Sequence, residues 1–213
     1  MYCILVTGIP AAGKSTMAAQ LSERLKLPLM SKDIIKERLF DTVGFRSRVE
    51  KVNLGIGAMR ILYYFAEQMM RTDKPFILEN NFENISGDEL NQLLERYGYT
   101  AITVIMTGDY PVIYQRFLER NKSPERHRGH VVNTQYPENP NMRQAESTLS
   151  FEDFVSGIQS RGMDRFMANG PQIRIDTTEL SKVNTDEIVK RVCALRDELS
   201  ASVHSAEQEN KNG

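Results

Sequence analysis

Gly8-Ile9-Pro10-Ala11-Ala12-Gly13-Lys14-Ser15, followed by Thr16, is the stretch on which the reading of this chain turns. It matches G-x-x-x-x-G-K-[ST], and its flanks supply the context that the mechanism behind the pattern requires. Before it, Tyr2-Cys3-Ile4-Leu5-Val6-Thr7 is a short apolar, β-branched run that predicts a buried strand. After it, Ala18, Leu21 and Leu25 recur on one stripe and predict an amphipathic helix. A strand, a glycine-rich turn and a helix N-terminus make an anion cradle, because glycines let several N–H groups turn inward where the helix dipole favours negative charge. In such a loop Lys14 reaches the β and γ phosphates of a nucleoside triphosphate, Ser15 offers its hydroxyl to magnesium, and Thr16 adds a hydroxyl near the α phosphate. ATP with Mg2+ is therefore the expected cofactor, and the pattern does not separate ATP from GTP.

Working outward, strands and helices alternate. Pro28-Leu29-Met30 predicts a short second strand, Asp33 to Phe40 a helix ended by Gly44, and Leu54 to Met69 a long packing helix with apolar residues every three or four positions. Pro75 to Glu79 and Thr100 to Thr107 read as a third and a fourth strand, with Leu90 to Arg96 in a helix between them. Pro111 opens a helix that turns Ile113 and Phe117 inward. The chain from Asn121 to Thr148 then becomes polar and rich in Pro and Asn, too long for an ordinary connection and suited to a lid or acceptor loop. Ile173-Arg174-Ile175 is a fifth strand, and Ile188, Val192, Leu195 and Leu199 mark the last helix. The alternation implies right-handed βαβ units and an α/β three-layer sandwich with a five-stranded parallel sheet. We expect one domain over residues 1–200, a lid and acceptor region at about 116–148, and a frayed tail at 201–213.

Among 213 residues, 40% are hydrophobic and 26% charged, an ordinary globular balance. Lys and Arg total 27 against 28 Asp and Glu, so a net charge of -1 gives no global pull toward nucleic acid or an anionic membrane. Cys3 and Cys193 sit in apolar segments as small buried thiols. The N-terminus starts directly on a strand, with no leader-like or spanning apolar stretch, and a cytoplasmic location is expected.

The remaining chemistry falls at predicted strand ends, where ligands of such sheets bind. Asp33 opens the second helix, where a carboxylate can take the proton of an acceptor hydroxyl and align it with the γ phosphate; the alternative is that, beside Ser31, it merely caps the helix and complements its dipole. Lys36 shares its helix face. Glu79, Asn80 and Asn81 end the third strand and can face a polar substrate or magnesium-bound water. Phe76-Ile77-Leu78-Glu79-Asn80 lacks the terminal Asp of a Walker B strand, which favours a small-molecule kinase over a motor. Arg116 and Arg120, four apart on one helix face, with Arg126 following, suggest a basic lid that stabilises charge developing on a transferring phosphoryl group. His127 and His130 lack an evident third partner for a metal.

With these residues in view, the sequence resembles AAA-type, ATP-binding kinase-like proteins, the P-loop kinases grouped with polynucleotide 5′-kinases, chloramphenicol phosphotransferase and zeta-type toxins. The likeness runs over about residues 2–200 and rests on Gly8 to Thr16, Ser31-Lys32-Asp33, Glu79-Asn80-Asn81, and Arg116 and Arg120 followed by Glu125 to His130. It implies a P-loop nucleoside triphosphate hydrolase fold of the nucleoside/nucleotide kinase type, transfer from ATP with Mg2+, Asp33 as the acceptor-activating residue, and Arg116 and Arg120 as lid arginines. Polynucleotide kinases carry an arginine three residues after that Asp, and here the position is Lys36, which has no planar fork for a nucleic-acid phosphate. The expected partner is a small-molecule hydroxyl; a nucleic-acid 5′ end, a nucleotide sugar and a non-catalytic ATP-binding regulatory module remain as alternatives.

Overall fold

The computed structural model describes residues 1–139, 141 and 149–209, the side chains of 202–209 apart. Five strands run β1 (Tyr2–Gly8), β2 (Leu29–Ser31), β3 (Ile77–Glu79), β4 (Thr100–Thr107) and β5 (Gln172–Asp176). They pair in the order β2-β3-β1-β4-β5, and every pair is parallel. The architecture is an α/β sandwich with helices on both faces of a parallel sheet, as the alternation of the sequence predicts.

β1 lies at the centre, and its side chains alternate between two cores. Ile4 and Val6 pack on one face with Leu21 of α1 (Lys14–Leu25), Ile113 of α5 (Tyr110–Lys122), Phe154 and Ile158 of α7 (Phe151–Arg161), and Ile188 and Val192 of α8 (Thr185–Glu209). Cys3 and Leu5 pack on the other with Leu62 and Tyr63 of α3 (Arg48–Arg71) and Leu90 and Leu94 of α4 (Asn84–Tyr97). Ile4 and Leu5 are completely buried, each contributing on the order of 2 kcal/mol of apolar stabilisation.

Local chemistry sets the helix starts. Asp109 Oδ1 accepts from Val112 N at 3.2 Å with Pro111 in the first turn of α5, while the Ser47 and Ser150 hydroxyls accept from Glu50 N and Asp153 N at the starts of α3 and α7. A third, small cluster of Phe40, Phe45 and Val132, with Leu54 and Tyr136 against it, joins α2 (Lys32–Thr42), α3 and the one-turn α6 (Arg128–Val131). Gly129 allows this approach, since a Cβ there would lie 2.3 Å from the Phe40 ring.

Three differences from the sequence reading stand out. Within the polar excursion the described residues form α6, and Phe45 and Tyr136 exchange backbone hydrogen bonds of 2.8 Å that tie the excursion to the start of α3. Helix α7, unmarked by the sequence reading, follows it. The tail expected from Ala201 continues as helix to Glu209, because extending a formed helix through Ala, Ser and Glu requires no new nucleation. Residues 140 and 142–148 of the expected lid and 210–213 of the tail lie outside the described residues. Among the described residues, no helix is long and apolar enough to cross a membrane.

Candidate active site

The loop after β1 opens at the carboxyl edge of the sheet's central strand. Gly8 pairs with Met106 of β4 at φ 127°, and a Cβ there would lie 1.9 Å from the Met106 carbonyl oxygen, so only glycine fits. Ala11 and Gly13 also adopt positive φ, 62° and 87°, which curls the backbone around its own amides. Gly13 precedes α1 without a side-chain cap, and no acidic residue occupies the first helical turn, so the N-terminal amides remain available to an anion. Ile9 and Ala12 anchor the loop in the core, while Pro10, Ala11, Gly13, Lys14, Ser15 and Thr16 line a cleft of about 580 Å³.

Lys14 is buried and donates to the Ile9 carbonyl at 2.8 Å. Burial lowers its pKa to about 8 against the opposing pull of Glu79 and Asp33. Glu79 ends β3 in register with Val6 of β1. Its Oε2 accepts from Ser31 Oγ at 2.5 Å and its Oε1 from Ser15 Oγ at 3.4 Å. Burial raises the Glu79 pKa despite Lys14 and the two hydroxyls. This carboxylate stands beside the Ser15 hydroxyl at the start of α1.

Asp33 lies in the first turn of α2, its carboxylate makes no hydrogen bond among the described residues, and the N-cap Ser31 turns its hydroxyl to Glu79 rather than to the helix. The helix-cap alternative for Asp33 therefore lacks its bond. Desolvation in the cleft raises the Asp33 pKa, but the charges of His130, Arg126, Lys14 and Lys36 outweigh it and hold the carboxyl below its ordinary value. Lys36 and Asn81 line the same cleft.

Arg120 and Arg126 face this space with no hydrogen bond to the described residues, and the Nε of each is buried without a partner. Burial and mutual repulsion bring Arg120 down to about 10, and burial lowers Arg126 as well. Two desolvated guanidinium groups with unused donors fit phosphate oxygens.

Two expected site residues are placed differently. Arg116 reaches the cleft wall, but its guanidinium donates to the carbonyls of Thr177 and Thr178 just after β5, so its fork is engaged by backbone. Asn80 turns into the core toward Met59 Sδ at 3.8 Å, because side chains at a strand end still alternate and Glu79 and Asn81 take the cleft side.

The sequence reading also missed part of the cleft wall. Lys51, 3% exposed, donates to the carbonyls of His130 at 2.9 Å and Val132 at 2.6 Å and to Asn133 Oδ1 at 3.0 Å. Burial and the neighbouring Lys36, Arg48 and Arg126 lower it to about 7. His130 meets Glu37 at 2.9 Å and His127 meets Asp41 at 2.9 Å, so each imidazole has one carboxylate of α2. Among the described residues, no group of three His, Cys, Asp or Glu side chains is arranged to hold a metal.

Residues 4–146 match the family described as AAA domain. The chain belongs to the AAA domain family. Among solved structures, this AAA-domain protein is similar to one from Chloroflexus aurantiacus that carries a provisional kinase name, at 27% identity over 91% of this chain and 97% of that one, with a TM-score of 0.73. It also shares its fold with a gluconokinase from Sinorhizobium meliloti (13% identity, 96% of each chain, TM-score 0.55) and a shikimate kinase from Bacteroides thetaiotaomicron (15% identity, 92% of this chain and 98% of that one, TM-score 0.51). The comparison with curated proteins gives no match. The AAA-domain chain thus has the fold of the P-loop kinases, built around a phosphate-binding loop.

Proposed function

We propose that the protein is an ATP- and magnesium-dependent kinase that transfers the γ-phosphoryl group to a hydroxyl of a small molecule. The observation that carries this reading is the position of Asp33, a carboxylate free of hydrogen bonds among the described residues, in the same cleft as Lys14 and the unpartnered Nε atoms of Arg120 and Arg126. A carboxylate in this cleft with no hydrogen-bond partner suits the alignment of an acceptor hydroxyl, a task that a module only holding nucleotide does not have.

In this mechanism the loop amides and Lys14 hold the triphosphate, with Lys14 exchanging its bond to the Ile9 carbonyl for phosphate oxygens. The Ser15 hydroxyl and the buried Glu79 carboxylate beside it would hold a magnesium ion, Ser15 by supplying a ligand oxygen and Glu79 by accepting from water on the ion. Magnesium, when bound, offsets negative charge on the phosphate oxygens. Asp33 orients the acceptor hydroxyl; the hydroxyl oxygen forms a bond to the γ phosphorus as the bond from that phosphorus to the β–γ bridging oxygen breaks, its electron pair leaving on ADP, and Asp33 takes the proton. A carboxylate held below its ordinary pKa is a weak base, so Asp33 contributes first by alignment and takes the proton late. Arg120 and Arg126 supply donors to the charge that develops during transfer. Arg116 steadies the loop after β5.

Radiolabelled γ-phosphate from ATP, followed with and without Mg2+ against nucleosides, sugars, hydroxy acids, aminoglycosides and 5′-hydroxyl oligonucleotides, tests the proposal. Magnesium-dependent label on a small molecule supports it. Nucleotide binding with no transfer beyond slow hydrolysis across all these classes would favour the binding module, and label on the oligonucleotide alone would favour a nucleic-acid kinase.

A further inference from the structure

The cleft holds more positive charge than a nucleotide needs. Among the described residues, eight Lys and Arg side chains line it against the carboxylates of Asp33 and Glu79. A magnesium-ATP complex carries roughly two negative charges and is matched by Lys14, Arg120 and Arg126 at the phosphate end. Of the other five, Arg116 is taken up by the carbonyls of Thr177 and Thr178 and Arg161 by Glu83, which leaves Lys36 of α2 and Arg48 and Lys51 of α3.

Arg48 and Lys51 share one face of α3 with Gly55, three and seven positions from the helix start. Lys36 of α2 crosses that face: a Cβ on Gly55 would lie 3.4 Å from Lys36 Cε, and Lys36 Nζ stands 5.3 Å from the centre of the Phe40 ring. The Lys36 ammonium makes no hydrogen bond among the described residues. Arg48 uses one Nη1–H on Asn133 Oδ1 at 3.0 Å, a neutral acceptor that it shares with Lys51. The carboxylate that acts on Lys36 is Asp33, which is also faced by His130, Arg126 and Lys14. Packing cations together around neutral oxygens costs stability unless a ligand brings the missing charge. Lys51 registers that cost, since burial, Lys36, Arg48 and Arg126 together pull it to about 7.

We infer that the acceptor carries, beside the hydroxyl presented to Asp33, an anionic group, a carboxylate or a phosphate, held by Lys36 and the guanidinium fork of Arg48. The inference rests on the kinase reading and names its substrate class. Lys51 is the positioning residue: its bonds to His130, Val132 and Asn133 fix the amide that anchors Arg48. Asp33 lies one turn before Lys36, so an acid group on Lys36 leaves a hydroxyl a few bonds away at the carboxylate.

The test uses the full chain loaded with magnesium and a non-hydrolysable ATP analogue, with malonate and inorganic phosphate as anion probes and glycerol and sodium chloride at matched ionic strength as controls. The melting temperature is expected to rise on loading, then to rise further with malonate or phosphate and not with the controls. In Arg48→Gln and in the Lys36→Gln/Arg48→Gln double variant the second rise is lost while the nucleotide-dependent rise persists. The probe that acts at lower concentration distinguishes a carboxylate from a phosphate source. In transfer assays, an acidic acceptor is expected to lose roughly 10- to 100-fold in kcat/KM in Arg48→Gln, the range for a charge-assisted hydrogen bond. A nucleotide-dependent rise with no anion increment, or an increment that survives in the double variant, would overturn this inference alone. No rise on loading would overturn the kinase reading and this inference with it.

Discussion

Ser15 Oγ and Glu79 Oε1 stand 3.4 Å apart although 64 residues separate them in the chain. The contact exists because β3 pairs with β1, Val6 against Glu79, so the last residue of one strand meets the start of the helix that follows the other. It ties the phosphate loop to a buried carboxylate whose pKa burial raises. If Glu79 holds magnesium-bound water, Glu79→Gln should increase the Mg2+ concentration needed for nucleotide binding by about 10- to 100-fold, the range for partners one shell beyond a metal. A magnesium titration of analogue binding measures this, and an unchanged midpoint would remove Glu79 from the metal site.

Lys14 gives a pH signature of its own. Burial first, against Glu79 and Asp33, lowers it to about 8, so at pH 8.5 most free molecules carry an uncharged lysine. Phosphate oxygens favour the ammonium form, so binding must take up a proton there, on the order of 0.7 per site, and almost none at pH 6.5 where Lys14 is already charged. Calorimetry of the magnesium-bound analogue in buffers of different ionisation enthalpy reads that number. Equal uptake at both pH values would show that Lys14 does not meet the phosphates.

The phosphate loop and its two flanking elements were legible because their signals are local: glycines where φ is positive, an apolar run, and a helical stripe from Ala18 to Leu25. Strand order was not, since pairing Ile4 with Ile77 is decided by the whole sheet, and with it went the placement of Glu79 beside Ser15 and of Asn80 in the core. Helix α7 had a readable pattern in Phe151, Phe154, Val155 and Ile158, obscured by its place directly after a long polar stretch. Arg48 and Lys51 precede the apolar stripe that marked α3 and look like a solvated helix start; only the packing of α2 and α6 against that end buries Lys51. Arg116 matched a lid pattern in sequence, but the loop after β5 supplies carbonyls that engage it.

Arg120 and Arg126 carry unpartnered, desolvated Nε groups. Arg120→Ala and Arg126→Ala are therefore expected to leave the melting temperature of the nucleotide-free protein unchanged or higher, while each lowers kcat by roughly 10²- to 10³-fold, as for loss of a donor to developing charge. Differential scanning fluorimetry and initial rates, run in parallel, separate the two effects. A lowered melting temperature with kcat preserved would make these arginines structural.

Lys51 should shape the pH dependence of stability. Its folded pKa of about 7 lies below the 10.5 of an ordinary lysine, so between those values the unfolded chain binds the extra proton and stability rises with pH, by up to about 1.4 kcal/mol per unit; below pH 7 both forms are charged and the slope vanishes. Lys36, Arg48 and Arg126 are the charges that act on it, along with burial. Urea midpoints at pH 6.5, 7.5, 8.5 and 9.5 should climb more steeply for the wild type than for Lys51→Met. Parallel profiles would show that Lys51 keeps an ordinary pKa.

The central claim is that Asp33 aligns an acceptor hydroxyl for phosphoryl transfer, and Asp33→Asn tests it most directly. An interaction that matters chiefly in the transition state lowers kcat without weakening nucleotide binding. General-base contributions of about 10²- to 10⁴-fold correspond to roughly 3 to 5 kcal/mol of barrier, whereas a helix cap is worth about 1 kcal/mol of stability. Steady-state transfer to the acceptor found by labelling, measured beside analogue affinity and melting temperature, is expected to show kcat reduced at least about 100-fold with nucleotide affinity intact. A variant that transfers at the wild-type rate but melts several degrees lower would contradict the account and leave Asp33 as a residue of helix stability alone.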